Sequence, residues 1–388
     1  MGRGWRALWR VVRSRYFWGP IVLYLTALIV WATLTPGGRT TTKSLLLLPN
    51  LIPNAPIRPI NWVTRTPDQT VVSFTDGEES WMADVYIPAT EGPHPAIIVS
   101  LGVTPGGSED DRIRRLGDGL ARMGTVVLIP YSDNLNEKRV TLQEVDLLVA
   151  AFGHLEQRPD VDPGRIGFLS VCVGSSLALL AAQDARINDQ VEFVNWFGGY
   201  YNLENLIASV ATGSFEEDGR PVPWEVDRLT KEVVRLRTID LVDDAAEREL
   251  LTLNIIHHQE LTQEDLAGLS PTGAVVQRLF EMTELNDARR LIEEFPDEAL
   301  ATLRALSPEG NLDGIRARVF LMDDNRDQLI PYTHTRALAE ALDGNYVRHS
   351  KFSIFTHADL DDLANPVKSA PQLWNLFRHI DSIFRGVL

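Results

Sequence analysis

Apolar and amphipathic segments alternate along most of the chain. Short apolar runs typical of buried strands occur at Ala96–Leu101, Thr125–Pro130, Arg165–Val171, Val191–Phe197, Arg318–Met322 and Tyr346–Ile354. Segments between them, such as Lys138–Gln157, repeat apolar residues at helical spacing. Thr70–Phe74 and Trp81–Ile87, joined by Asp76-Gly77, predict an antiparallel hairpin at a sheet edge. Together the pattern predicts an α/β fold with a doubly wound, mostly parallel sheet.

Residues 202–311 interrupt this alternation. The segment is charged, and helices are predicted at Glu225–Leu236, Ala245–His257, Thr272–Leu285 and Ala288–Leu306. Because strands resume directly afterwards, we expect a helical cap inserted over the carboxyl edge of the sheet. A separate helical domain is the alternative.

The first sixty residues have a different composition. Residues 17–34 carry no charge and are long enough to form a transmembrane helix. Residues 1–16 form a basic tail, which predicts a cytoplasmic N-terminus and an extracytoplasmic body. A cleaved signal peptide is the competing interpretation. Residues 35–60 contain several prolines and predict an extended linker, so the folded domain is expected to span residues 61–388.

Charge and cysteine content narrow the class of function. The chain of 388 residues has a formal net charge of −16, and its basic N-terminus makes the remainder more acidic still. Such a body would repel phosphates, so a nucleic-acid partner is not expected. One cysteine excludes an intrachain disulfide and a multi-cysteine metal site. No cofactor or metal is implied, and the oligomeric state is left open.

Candidate chemistry begins at Cys172. The buried run ending at Val171 is followed by an Ala- and Leu-rich helical pattern, with Gly174 at the turn. This strand–turn–helix context is typical of a nucleophile elbow, and the helix N-terminus favours a thiolate. If the elbow motif were instead Gly174-Ser175-Ser176-Leu177-Ala178, Ser176 would be the nucleophile. The structural alternative is that Cys172 is only a small buried side chain.

A nucleophile needs a base and an acid that orients the base. Asp327 and His357 follow Cys172 in the chain order of α/β-hydrolases, each just after a predicted strand. Asp323 or Asp324 is the alternative acid. The backbone N–H groups of Val103 and Val173 are candidates for an oxyanion hole. His349 is expected to be structural. Four other histidines are expected to lie at the surface of the protein: His94, His154, His334 and His379.

The segment Arg165–Gly174, the acid loop Asp327-Gln-Leu-Ile-Pro331 and the segment Phe355-Thr356-His357 resemble motifs of the α/β-hydrolase superfamily. The likeness extends from about Trp81 to the end. Within the superfamily the chain is most similar to the dienelactone hydrolase group, which carries Cys at the elbow. It departs from the group's pattern at Ser170 and Ser175, where glycines are usual, and at Leu101-Gly102, where that group has an acid.

The resemblance implies a hydrolase that cleaves a small-molecule ester, lactone or thioester through a Cys-His-Asp triad. The predicted transmembrane helix, which is not a feature of the dienelactone hydrolase group, would anchor this hydrolase to a membrane. An acyltransferase with the same triad is one alternative. A non-catalytic, hydrolase-like binding protein is another.

Overall fold

The computed structural model describes residues 15–52, 55, 57–77, 79–103, 110–310, 312–356, 359–360 and 366–387. Its strands, in chain order, are β1 (Asp68–Asp76), β2 (Glu79–Ile87), β3 (His94–Ser100), β4 (Val126–Pro130), β5 (Val161–Val171), β6 (Val191–Phe197), β7 (Ser214–Glu217), β8 (Arg220–Pro223), β9 (Arg318–Asp324), β10 (Arg348–Phe352), β11 (Phe355–Thr356) and β12 (Asp359–Leu360).

Eight of these strands form the central sheet, in the order β1-β2-β4-β3-β5-β6-β9-β10. β1 and β2 pair antiparallel, as do β2 and β4. The six strands β4, β3, β5, β6, β9 and β10, in this order across the sheet, pair parallel with one another. Every residue of β3 is buried, as expected for a strand covered on both faces. The predicted edge hairpin and the mostly parallel sheet are therefore confirmed.

The helices of eight residues or more are α1 (Arg15–Leu34), α2 (Pro36–Leu47), α4 (Asp111–Met123), α6 (Gln143–Glu156), α7 (Val173–Ala181), α8 (Leu203–Thr212), α9 (Arg228–Ile239), α10 (Ala245–Ile255), α12 (Pro271–Leu279), α13 (Leu285–Ile292), α14 (Asp297–Ala305), α15 (Thr333–Ala341) and α16 (Pro366–Val387). Shorter ones are α3 (Ile60–Val63), α5 (Asp133–Asn136) and α11 (Gln263–Gly268).

Two hydrophobic clusters lie on opposite faces of the sheet. One holds alternate strand residues such as Ile98 and Phe168 together with α6, α7 and most of the insertion. The other holds Ile97 and Phe193 together with α4 and α16. Because successive strand side chains point to opposite faces, both faces of the sheet are covered by helices.

The insertion differs in detail from its prediction. A hairpin, β7–β8, and the helix α8 precede the first predicted helix. The helix predicted over Ala288–Leu306 is two helices, α13 and α14, because Pro296 interrupts it. Apolar residues of the insertion, including Leu251 and Leu279, share one core with α6 and α7. The insertion therefore packs directly on the sheet domain.

The prediction of an extended linker over residues 35–60 is wrong. Pro36 starts helix α2, where proline is tolerated because the first N–H groups of a helix lack internal acceptors. The Thr35 side chain accepts a 3.0 Å hydrogen bond from the Gly38 N–H and caps the helix. Leu47 at the other end is buried against the domain. A 3₁₀ turn, Leu48–Leu51, follows.

Helix α1 exposes apolar side chains on several sides, with Leu23 72% and Tyr24 68% exposed. Within the described residues no single helix is long and apolar enough to cross a membrane. Trp18–Leu34 and Pro36–Leu51 reach that length and composition only as a pair, bent by 93°. The single span predicted over residues 17–34 stays a prediction.

Candidate functional site

Cys172 lies between β5 and α7, at the predicted strand–turn–helix junction. Its backbone angles are φ 60° and ψ −142°, a conformation that costs non-glycine residues free energy and is concentrated at functional sites. Gly174 allows the turn because a Cβ there would lie 2.3 Å from the carbonyl oxygen of Ser100. Gly174 therefore lets α7 begin in close contact with the end of β3.

The serines around the elbow are occupied by structural hydrogen bonds. Ser176 Oγ donates to the Tyr200 carbonyl at 2.7 Å, and Ser170 Oγ donates to the Asn195 carbonyl at 2.5 Å. Both side chains are fully buried. Ser176 lies inside α7 rather than at the turn, so this geometry favours Cys172 over Ser176 as the nucleophile.

The loop after β3 lies against the elbow. A Cβ at Gly102 would be 2.7 Å from the Cβ and 2.9 Å from the Sγ of Cys172, so only glycine fits there. Val103 follows in the chain, and Val173 is the first residue of α7. The N–H groups of a first helical turn have no acceptor within the helix and can bind an oxyanion. The structure thus brings both predicted oxyanion-hole segments beside the thiol.

Asp327 lies near the elbow because both of them contact the end of β6. The Cys172 N–H donates to the Phe197 carbonyl at 2.8 Å. The next residue, Gly198, has φ +61°, and a Cβ there would lie 3.0 Å from Asp327 Oδ2. The other carboxylate oxygen, Oδ1, accepts hydrogen bonds from the Leu329 and Ile330 N–H groups at 2.7 and 3.2 Å. Asp327 is buried, so these donors compensate for the desolvation of its carboxylate.

The alternative acids have structural partners. Asp324 Oδ2 accepts from the N–H groups of Ile354 and Phe355 at 2.8 and 2.7 Å, and Oδ1 accepts from the Arg326 N–H. Burial raises the pKa of Asp324 despite these bonds. Asp323 pairs with His349. Asp324 therefore holds the chain that leads into the predicted histidine loop, a role that sequence reasoning did not assign.

His357 lies outside the described residues. The chain two residues before it is described, and Phe355 lines the same cavity as Cys172. Leu329, from the Asp327 loop, also lines that cavity, which has a volume of about 370 Å³. One cavity thus collects residues from the three loops that carry the predicted triad.

The insertion contacts the acid loop. The Trp224 indole Nε1 donates to the Asp327 carbonyl at 3.1 Å, and Thr230 Oγ1 donates to the Leu329 carbonyl at 3.1 Å. Leu229 lines the cavity beside them. The insertion therefore lies over the carboxyl end of β9. The sequence held no signal for these contacts, because they join residues about a hundred positions apart.

Histidines expected at the surface are mostly buried. His94, His334 and His379 are each at most 7% exposed, so that expectation is wrong for these three residues. The His379 Nε2–H donates to Asn195 Oδ1 at 2.8 Å, and the other ring nitrogen, Nδ1, accepts from Ser350 Oγ at 2.9 Å. Burial lowers the pKa of His379 to about 3 and that of His334 to about 4.

The fold matches known structures although the sequence does not match known families. No family model and no curated protein sequence matches the chain. An acylaminoacyl peptidase of Pyrococcus horikoshii superposes with a TM-score of 0.51 at 14% identity, over 85% of this chain and 43% of that one. A puromycin-hydrolysing peptidase of Mycobacterium tuberculosis gives 0.50 at 14% identity, over 86% and 41%.

The chain spans less than half the length of these two proteins. At such low identity the likeness establishes the fold, which is that of an α/β-hydrolase with a mixed, mostly parallel eight-stranded sheet. The narrower likeness to the dienelactone hydrolase group stays a prediction.

Proposed function

We propose that the chain is a hydrolase that cleaves a carboxylic ester, thioester or lactone with Cys172 as nucleophile. The observation that carries the proposal is the conformation of Cys172. A non-glycine residue with φ 60° at a strand–helix junction is strained, and the strain turns its side chain toward the cavity that it lines. The nearby Asp327 supplies the expected acid.

In the proposed reaction each predicted site residue has one role. His357 accepts the thiol proton, and the thiolate attacks the carbonyl carbon of the substrate. The N–H groups of Val103 and Val173 bind the oxyanion of the tetrahedral intermediate. The intermediate collapses to a thioester with Cys172, and the alcohol leaves with the proton from His357. His357 then activates water, which releases the carboxylic acid and restores the thiol, while Asp327 fixes the tautomer of His357.

One observation favours a second candidate, a non-catalytic binding protein. Cys172 is only 7% exposed and belongs to a hydrophobic cluster, as an inert cysteine would. In that case the cavity would bind a ligand without turnover.

Substitution of the single thiol separates these functions. Cys172→Ala should lower the rate of p-nitrophenyl acetate hydrolysis by about 10³-fold or more, because removing a nucleophile disables the whole triad. Cys172→Ser should retain part of the rate, and Ser176→Ala serves as the matched control. Full activity in Cys172→Ala would exclude the proposed nucleophile.

Two further outcomes would favour the alternative functions. A wild-type thiol that resists iodoacetamide until the protein unfolds, together with no hydrolysis, would favour the non-catalytic binding protein. Added alcohol that competes with water would indicate acyl transfer.

We also propose that α1 attaches the protein to a membrane. Its exposed apolar surface and the five arginines among residues 1–15 support this attachment.

A further inference from the structure

The cavity at Cys172 has an apolar arm that the proposed reaction does not explain. It continues from the thiol between the sheet and the two helices α4 and α16. Leu169 and Val171 belong to the central strand β5, yet both are only partly buried, because they face this space. The arm therefore lies under the helical layer, whereas the reaction takes place at the edge of the sheet.

The walls of the arm are hydrocarbon. Leu116 and Leu120 of α4 line one side, and Ile380 and Ile383 of α16 line the other. The whole cavity, of which the arm is a part, has a volume of about 370 Å³, within the range of ligand sites. A cavity lined in this way gains free energy from an apolar occupant and gives a charged one no partner.

Polar groups in the lining are few and confined. Asp110, Arg112 and Arg115 lie at the start of α4, and Asp110 and Arg112 form an ion pair at 2.6 Å. Deeper in the arm, Asn195 and His379 satisfy each other by a hydrogen bond, and His379 is uncharged at neutral pH. The remaining polar side chain of the described lining is Asn50, which lies in the turn after α2 and is uncharged. Among the described lining residues, charge is therefore restricted to the α4 end.

The roof of the arm comes from the N-terminal segment. Leu47, Leu51 and Ile52 line the cavity from the end of α2 and the turn after it. The same helix follows α1 directly, whose apolar side chains are exposed. The exposed apolar surface and the buried apolar cavity thus belong to consecutive elements of one segment.

We propose that the arm binds the hydrocarbon chain of a long-chain acyl ester, and that this chain positions the ester carbonyl at Cys172. The inference rests on the proposed function, because it names the substrate class of that site. Straight acyl chains match an uncharged, aliphatic space that begins at the nucleophile. Each methylene that the arm accommodates should raise binding by about fourfold.

The test compares p-nitrophenyl dodecanoate with p-nitrophenyl acetate, using the full chain in lipid nanodiscs. We expect wild type to favour dodecanoate by at least about tenfold in kcat/KM. Leu51→Trp and Leu116→Trp, at partly buried lining positions, should each lower that ratio by about tenfold. Leu45→Trp is the matched control, since Leu45 is in the same segment, 51% exposed and outside the lining, and it should keep the wild-type ratio.

Dodecanoate release from dilauroyl phosphatidylcholine vesicles distinguishes a membrane lipid from a free ester as the source of the chain. Release of dodecanoate from the vesicles or from p-nitrophenyl dodecanoate supports the proposal. Hydrolysis of acetate with no preference for dodecanoate, or ratios that the tryptophan variants leave unchanged, would overturn it while leaving the proposed function intact.

A second readout does not require hydrolysis. Methyl and dodecyl methanethiosulfonates transfer their alkylthio group to Cys172, forming a disulfide and releasing methanesulfinate, and intact mass reports the rate. We expect the dodecyl reagent to react faster, and Leu51→Trp to remove that advantage. This pattern without any esterase activity would support the arm and refute the proposed function. A thiol that reacts with neither reagent until unfolding contradicts a cavity that reaches Cys172.

Discussion

At the scale of single residues, buried histidines govern how stability responds to acid. His379 and His334 have pKa values near 3 and 4 because burial disfavours their charged forms. Arg348 and His349 lower the pKa of His379 further. An unfolded histidine has a pKa near 6.5, so the unfolded chain binds more protons between these values. The free energy of unfolding that depends on these uncharged histidines is therefore fully present above about pH 6.5, and it declines as the pH falls below that value.

As the pH falls from 7 to 5, we expect each of these two buried histidines to lower the free energy of unfolding by about 2 kcal/mol. His379→Gln should make the pH dependence shallower by about that amount, because glutamine does not titrate. Urea denaturation at several pH values measures the slope. His257→Gln, at an exposed position, should leave the slope unchanged. An equal slope in wild type and His379→Gln would mean that His379 titrates with the same pKa in the folded and the unfolded chain.

The position of His379 was available from the sequence. Leu376, His379, Ile380 and Ile383 follow the helical i, i+3, i+4, i+7 pattern, so they share the face of α16 that packs on the sheet. Polarity alone suggested the surface and was the wrong criterion. The elbow at Cys172 was predictable because strand, turn and helix are local. The hydrogen bonds of Asp324 were not, because they join residues about thirty positions apart.

At the scale of elements, local pattern predicted the sheet better than the insertion. Buried parallel strands are continuous apolar runs, which the sequence displays clearly. The helices of the insertion are short, and Pro296 divides a segment that was predicted as one helix, so their boundaries shifted. Helix α2 was missed because prolines and glycines near its start are typical of linkers, although the same residues fit a helix N-terminus.

The contact between the insertion and the acid loop makes an element-scale prediction. Trp224→Phe removes the hydrogen bond from the indole to the Asp327 carbonyl and keeps the ring in the core. We expect a loss of about 1 kcal/mol of unfolding free energy and a lower kcat, because the loop that carries Asp327 loses a tether. Trp62→Phe is the control, since Trp62 is 73% exposed. Unchanged kcat in Trp224→Phe would show that the insertion does not position this loop.

At the scale of the whole molecule, charge and apolar surface are separated along the chain. The acidic body and the basic N-terminal residues flank the apolar helix α1. We expect the body to lie outside the cytoplasm, because basic residues remain on the cytoplasmic side. Protease added to intact spheroplasts should digest the body and spare an N-terminal tag. Protection of the body until lysis would reverse the orientation, and release by high salt would exclude a spanning helix.

Helix α2 also determines where the chain can be cut. Thr41 Oγ1 donates to Asp381 at 2.9 Å, and Lys43 Nζ donates to the Met123 carbonyl at 3.0 Å, so α2 joins the ends of α4 and α16. A truncation starting at residue 61, the domain boundary predicted from sequence, would uncover the apolar side chains beneath Leu47. We expect that fragment to aggregate, whereas one starting at Thr35 should elute as a monodisperse species in size-exclusion chromatography. Equal behaviour of the two fragments would show that residues 35–60 are dispensable for folding.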